Sequence, residues 1–359
     1  MGVVREALEG LGFRCESLRF GEIENLYARR GEGRPNLCFA GHTDVVPPGD
    51  VAAWSRPPFE AHIEDGVLFG RGAADMKGAI AAFIVAAAQV IGRGPLPGAL
   101  SLLITGDEEG VAQDGTKAVV AALLARGEII DHCVVGEPTS RAALGDMIKI
   151  GRRGSLGATL IVEGVQGHVA YPDRAANPAP VLVRLLSRLL DRRLDDGFTG
   201  FQPSNLEITS IDIGNEATNV IPARAEAKVN IRFNPGHRGP DLAAWIEAEA
   251  KLAGEGFAGH VRAKTWISGE AFLTEPGDFT HLVASAVAAA SGVTPELSTT
   301  GGTSDARFIR ALCPVIEFGL VGASMHQIDE RAPVADIEKL AVIYERLIDD
   351  YFATFGVPS

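Results

Sequence analysis

Asn36-Leu-Cys-Phe-Ala-Gly-His-Thr-Asp44 decides how this chain is read: an apolar strand, Leu37 to Ala40, runs out through a glycine into a histidine and an aspartate. The pattern recurs. Leu102-Leu-Ile-Thr-Gly-Asp107 leads into Glu108 and Glu109, and Cys133-Val-Val-Gly136 leads into Glu137. Asp75 sits in the glycine-rich Gly70-Arg-Gly-Ala-Ala-Asp-Met-Lys-Gly78, and His326 comes far downstream in Ser324-Met-His-Gln-Ile-Asp329. In an open α/β sheet, ligands bind in the crevice beyond the carboxyl ends of the strands, so repeated placement there points to one shared site. Histidine and carboxylate without cysteine is a ligand set suited to zinc and its neighbours.

Between these loops, strand and helix patterns alternate. Helices are expected from Met76 to about Ile91 and from Thr116 to Ala125, and strands at Leu100 to Thr105 and Ile130 to Val135. That alternation predicts an α/β fold, a mainly parallel twisted sheet with helices on both faces. Around Ile150-Gly-Arg-Arg-Gly154 the pattern changes to β-α-β-β-α-β. Strands are expected near Leu156 to Glu163, Asn205 to Ile213, Ala223 to Phe233 and His260 to Trp266, with helices at Pro178 to Arg193 and Pro240 to Lys251. This order is the split βαβ, ferredoxin-like α+β motif, and it reads as an inserted domain. From about Ile267 the first pattern returns, with a helix at Phe279 to Ser291, a strand at Pro314 to Leu320 and an amphipathic helix at Val334 to Phe355. The expected division is 1–152, 153–266 and 267–359, with the outer two segments forming one domain.

A chain of 359 residues is too long for one compact core, which agrees with two domains. Hydrophobic residues make up 46% and charged residues 22%, the balance of an ordinary soluble protein. A formal net charge of -13 leaves no basic stripe for nucleic acid, whereas a small anionic substrate needs only local arginines. Cys15, Cys38, Cys133 and Cys313 are widely spaced, lack a CxxC pattern and read as thiols in a reducing cytoplasm. No charged segment followed by an apolar one opens the chain, so secretion is not expected, and Gly78 to Ile91 is too short and broken for a bilayer span.

His42 and Asp44 are two apart, a spacing that puts both side chains on one face of an extended segment. His42 can then ligate a metal while Asp44 orients it. Glu108 and Glu109 are adjacent and, if extended, point apart, so one can hold metal while the other faces the reacting group. Taken singly, Asp75 could cap a helix, Glu137 could open a turn, and the glutamate pair could start a helix. His237 and His281 read as solvated or satisfied residues, and Gly301-Gly-Thr-Ser-Asp305 as a turn. Jointly, His42, Asp75, Glu109, Glu137 and His326 exceed what one tetrahedral zinc with an open position requires. Two metals sharing a carboxylate would use them all, leaving Glu108 as general base.

His42-Thr-Asp-Val-Val-Pro-Pro48, the Gly70 to Gly78 segment, Gly106-Asp-Glu-Glu-Gly110 and Gly136-Glu-Pro-Thr139 resemble the co-catalytic dizinc peptidases and deacylases of the M20 family over almost the whole chain. The resemblance implies two zinc ions per subunit, with cobalt as a substitute. His42 and Glu137 would hold one and Glu109 and His326 the other, with Asp75 between them and a cis peptide after it. It also implies that Asp44 polarises His42 and that Glu108 accepts the proton of the attacking water. By the same resemblance 1–152 and 267–359 are the catalytic zinc domain, and 153–266 is a lid that mediates homodimerisation. His168 in Gly167-His-Val-Ala-Tyr171 would complete the partner's site, and Asn219 in Thr218-Asn-Val-Ile-Pro222 would cross with it.

Gly151-Arg-Arg-Gly-Ser155, Ser268-Gly-Glu-Ala-Phe-Leu273, Thr300-Gly-Gly-Thr-Ser-Asp305 and Met325-His-Gln-Ile-Asp-Glu330 are similar to the members that cleave a succinyl amide of L,L-2,6-diaminopimelate on the way to lysine. The substrate-binding set implied is Arg152, Ser155, Tyr171, Asn219, Arg232, Gly302, Thr303 and Arg307, in which arginines provide forks for carboxylates. One departure is the start, Met1-Gly-Val-Val-Arg-Glu, which falls where the family pattern is already inside its first helix and suggests a misassigned or truncated beginning. Another acyl-amino-acid hydrolase of the family, such as an acetylornithine deacetylase or aminoacylase, and a catalytically silent binding protein are the alternatives at this level.

Overall fold

The computed structural model describes residues 1–356. Two compact units emerge. The first is Met1–Gly151, Thr274–Ser298 and the chain from Ser304 onward; the second is Arg152–Leu273 with Thr299–Thr303. The second unit therefore runs past 266 to Leu273, taking in the whole of strand His260–Gly269 and the short strand Phe272–Leu273, and a short later segment joins it.

The first unit is built on an eight-stranded sheet in the order Arg14–Phe20, Ile23–Arg30, Ala99–Thr105, Asn36–His42, His132–Val135, Val315–Glu317, Met147–Lys149, Glu296–Ser298. Asn36–His42 pairs in parallel with Ala99–Thr105 and with His132–Val135, which pairs in parallel with Val315–Glu317. Ile23–Arg30 runs antiparallel to Ala99–Thr105 on one side and to the edge strand Arg14–Phe20 on the other, so the sheet is mixed with a parallel centre. Asn36–His42 and Ala99–Thr105 are buried at every position, as unbroken apolar runs in a covered sheet should be.

Register decides where the loops emerge. His42 lies opposite Thr105, and Ala40 lies opposite Val135, so three neighbouring strands end at nearly one level. Their following loops, bearing Asp44, Glu108 and Glu137, leave the sheet along one edge.

The Ala-rich helix Gly78–Gly92 packs on the long helix Val334–Phe355. Phe39 and Phe83 stack at 4.3 Å, and Tyr344 meets both edge-on at 5.6 and 5.5 Å. Buried Tyr344 donates its hydroxyl to the Phe318 carbonyl at 2.6 Å. The first of these helices starts later than expected, because Asp75 and Met76 have non-helical dihedrals and the peptide between them is cis. Counted with that kinked turn, Ala73–Gly92 is long and apolar enough to cross a membrane, a test that core helices also pass, and most of it is buried in this unit.

In the second unit, Gly154–Glu163, Arg224–Phe233, Asn205–Asp212 and His260–Gly269 form an antiparallel sheet with Gly154–Glu163 and Arg224–Phe233 at its centre. Helices Pro178–Asp191 and Gly239–Ala253 cover it, giving the ferredoxin-like order. Strand Arg224–Phe233 alternates in burial, and Leu182, Leu185, Leu186 and Leu189 recur at helical spacing, so Leu185, Ile246, Leu160 and Ile231 meet in one core.

Replacing Tyr344 by Phe leaves the buried Phe318 carbonyl without its donor, so stability should fall by about 1–3 kcal/mol. The check is a urea titration, in which an unchanged midpoint would show that this hydrogen bond adds nothing.

Candidate metal centre

The aligned strand ends bring together side chains that are far apart in sequence. His42 ends its strand and is buried; its Nδ1 donates to the Asp44 backbone carbonyl at 3.1 Å. The other ring nitrogen, Nε2, lies 3.3 Å from Asp75 Oδ1 and 3.9 Å from Glu137 Oε1. On the far side of Asp75, its Oδ2 lies 3.2 Å from His326 Nε2, which is 3.0 Å from Glu109 Oε1. Asp75 thus has a His and a Glu beside each of its oxygens.

The donor atoms fit cations. His42 Nε2, Asp75 Oδ1 and Glu137 Oε1 are buried and make no hydrogen bond. Buried polar atoms are ordinarily satisfied, so three such atoms converging within 4.8 Å of one another mark a place for an ion. A second group, Asp75, Glu109 and His326, meets the same spacing, as does His42 with Glu108 and Glu109.

Two local details differ from expectation. Asp44 hydrogen-bonds His42 through its backbone oxygen; its carboxylate Oδ1 is 3.5 Å from the ring, while Oδ2 accepts the Glu109 N–H at 3.0 Å. Glu108 and Glu109 do not lie on an extended segment, and both carboxylates approach His42. Asp107, with φ of 63°, turns the chain, and its carboxylate accepts the N–H groups of Val111 and Gln113 at 2.8 Å each and Asp114 at 3.1 Å.

Crowded buried carboxylates shape the electrostatics. Burial, then the charge of Asp75, pushes Glu137 well above the carboxylate range and raises Glu109 too. Glu108 is pushed up to about 8, by burial first and then by the charge of Asp305. Burial alone would lower His42, but Asp44 and Asp75 pull it well above the usual imidazole value. A cluster that holds protons this tightly is one whose negative charge a dication would relieve.

Sequence reasoning passed over Glu330, although it closes a motif quoted for its histidine. Fully buried Glu330 accepts Arg71 Nη1 at 2.7 Å and the N–H groups of Gly72, Ala74 and Asp75, each at 3.0 Å. It thereby clamps the loop that carries Asp75. Buried Asp305, hydrogen-bonded by Thr116 and Thr105, was likewise missed as the charge that acts on Glu108. The only signal was an acidic residue at the end of each of two quoted motifs.

Of the expected substrate-binding residues, Arg307 lies in the first unit, with its guanidinium over Phe308 at 4.6 Å. The rest belong to the second unit. Ser155 and Arg232 face one another across neighbouring strands, while Arg152 donates to the Thr300 carbonyl at 3.1 Å beside Gly302 and Thr303. His168 and Tyr171 sit with their rings 5.7 Å apart, and the Val169 N–H donates to the Asn219 carbonyl at 3.1 Å. His168, Tyr171 and Asn219 are all exposed.

Known proteins resemble this chain in sequence and in fold. Residues 38–350 match the family described as Peptidase family M20/M25/M40. Succinyl-diaminopimelate desuccinylase of Caulobacter vibrioides is 69% identical over 356 residues, covering 99% of this chain and 92% of that protein. The protein of the same name from Maricaulis maris is 58% identical over 355 residues, covering 99% and 91%. Among solved structures, an M20 family metallo-carboxypeptidase from Sulfolobus solfataricus superposes with a TM-score of 0.81 at 18% identity, covering 98% of this chain and 93% of that one. A dinuclear metal binding M20 peptidase from Bacillus subtilis gives 0.72 at 16% identity, covering 97% and 90%. At such identities the likeness speaks for the α/β fold alone. On the family match and the close relatives, the chain belongs to peptidase family M20/M25/M40 and is a metal-dependent hydrolase.

Proposed function

We propose that this protein hydrolyses the amide bond of N-succinyl-L,L-2,6-diaminopimelate, releasing succinate and L,L-diaminopimelate for lysine and cell-wall synthesis. The observation that carries the chemistry is the division of Asp75 between two half-sites, each with one histidine and one glutamate. The relatives at 58 and 69% identity support the substrate.

His42 and Glu137 would hold one zinc ion and Glu109 and His326 the other, with Asp75 shared; Asp44 fixes the His42 tautomer. Bound there, such ions polarise a carbonyl and make water more acidic. Glu108 takes a proton from the attacking water and returns it to the nitrogen as the C–N bond breaks. Its buried setting suits a group that must hold and release a proton near neutral pH. Arginines and small polar groups, Arg152, Ser155, Tyr171, Arg232, Gly302, Thr303 and Arg307, bind the substrate carboxylates. The working form is a homodimer through the inserted domain, in which exposed His168 and Asn219 serve the partner's site. Buried unpaired Cys38, Cys133 and Cys313 suit a cytoplasmic setting.

Chelated protein should be inactive and recover with zinc, cleaving the succinyl substrate in preference to its acetyl counterpart, which lacks one carboxylate. Equal or better turnover of the acetyl compound would redirect the assignment to another deacylase. Glu108→Gln should keep its metal and lose about a hundredfold to ten-thousandfold in kcat, and near-normal turnover would remove Glu108 as the base. Because His42, Glu109 and Glu137 are all raised, the metal-free centre carries protons that ligation must displace. Zinc affinity should therefore weaken as pH falls, with proton release seen by calorimetry in buffers of different ionisation enthalpy; no release would contradict the ligand set.

A further inference from the structure

A separate polar cluster lies in the second unit, on the connection between helix Pro178–Asp191 and strand Asn205–Asp212. Asp195 is its hub. Its carboxylate accepts the Gly197 N–H at 2.7 Å, the Ser204 N–H at 3.2 and 3.3 Å, and Nδ2 of buried Asn234 at 2.9 Å. Its second oxygen pairs with His237 Nε2 at 2.9 Å. Burial alone would raise this carboxyl; donors from Ser204, Gly197 and His237 outweigh it and hold the group at about 2.

So many donors on one carboxylate close the connection into a fixed loop. Phe198 and Phe201 exchange backbone hydrogen bonds at 3.4 and 2.7 Å, and Gly200 turns the tip with φ of 77°. The Gly200 carbonyl accepts the hydroxyl of buried Thr299 at 2.6 Å. One residue on, the Thr300 carbonyl holds Arg152 Nη1 at 3.1 Å, and a Cβ on Gly301 would fall 2.4 Å from the same nitrogen. From the other end of the loop, Asn205 Oδ1 accepts Nη1 of Arg153, the neighbour of Arg152, at 2.9 Å. The guanidinium of Arg152 is thus located by a segment hung from a loop whose shape Asp195 sets.

We infer that Asp195 and Thr299 are positioning residues that aim Arg152 at a carboxylate of the substrate. The inference rests on the proposed place of Arg152 in the substrate-binding set. A guanidinium meets a carboxylate as a planar fork, so a tilted Arg152 keeps its charge and loses its two-point grip. The loss falls on binding rather than on the bond-breaking step, and it shows in KM.

The test compares Thr299→Val, Thr299→Ser, Asp195→Asn and Arg152→Lys in the zinc-loaded enzyme, with hydrogen exchange followed over 195–205 and 299–303. Thr299→Val and Asp195→Asn should each raise KM for the succinylated substrate about five- to tenfold, one hydrogen bond's worth. Metal content and kcat should stay unchanged, and Thr299→Ser should remain near wild type. Amides of 299–303 should exchange faster in Asp195→Asn. A raised KM in Arg152→Lys alongside unchanged KM in Thr299→Val and Asp195→Asn overturns the positioning role and leaves the substrate reading standing. An unchanged KM in Arg152→Lys removes Arg152 from the substrate and the inference with it.

Discussion

Asp75 offers one oxygen to His42 and the other to His326, at 3.3 and 3.2 Å, and the rest of the centre is arranged to make that possible. A buried carboxylate facing other carboxylates on both sides is costly unless its backbone is held and positive charge lies nearby. Glu330 supplies the first condition by binding the N–H groups of Gly72, Ala74 and Asp75 together with Arg71. The imidazoles supply part of the second, and the hydrogen-bond-free atoms His42 Nε2, Asp75 Oδ1 and Glu137 Oε1 are where a cation would supply the remainder.

That arrangement is a consequence of sheet register. Because Asn36–His42 pairs in parallel with both neighbours and the ladders end close together, three loops open on the same edge. A slip of one residue would turn His42 to the other face of the sheet and separate it from Glu137. The all-buried strands hold the register, and the stack of Phe39 and Phe83 against Tyr344 secures the central strand to the helices. Chemistry and core packing therefore share residues a few positions apart.

Much of this was legible in the chain. The apolar runs ending in acidic or imidazole residues marked the parallel centre, and all five expected ligands converge in the first unit. Local backbone geometry was not legible. Asp107 enters the left-handed region and turns Glu108 and Glu109 toward His42, although adjacent residues in an extended segment would diverge. The partner of His42 Nδ1 is the Asp44 backbone oxygen, which no side-chain pattern reports. Glu330 acts through backbone N–H groups 255 to 258 residues away, a contact invisible to spacing arguments.

The most direct test of the central claim is anomalous diffraction from crystals grown with zinc. Two peaks are expected, one contacted by His42 and Glu137, the other by Glu109 and His326, with one oxygen of Asp75 on each. A single peak, or two peaks with Asp75 bound to neither or to only one, would contradict the shared-aspartate centre.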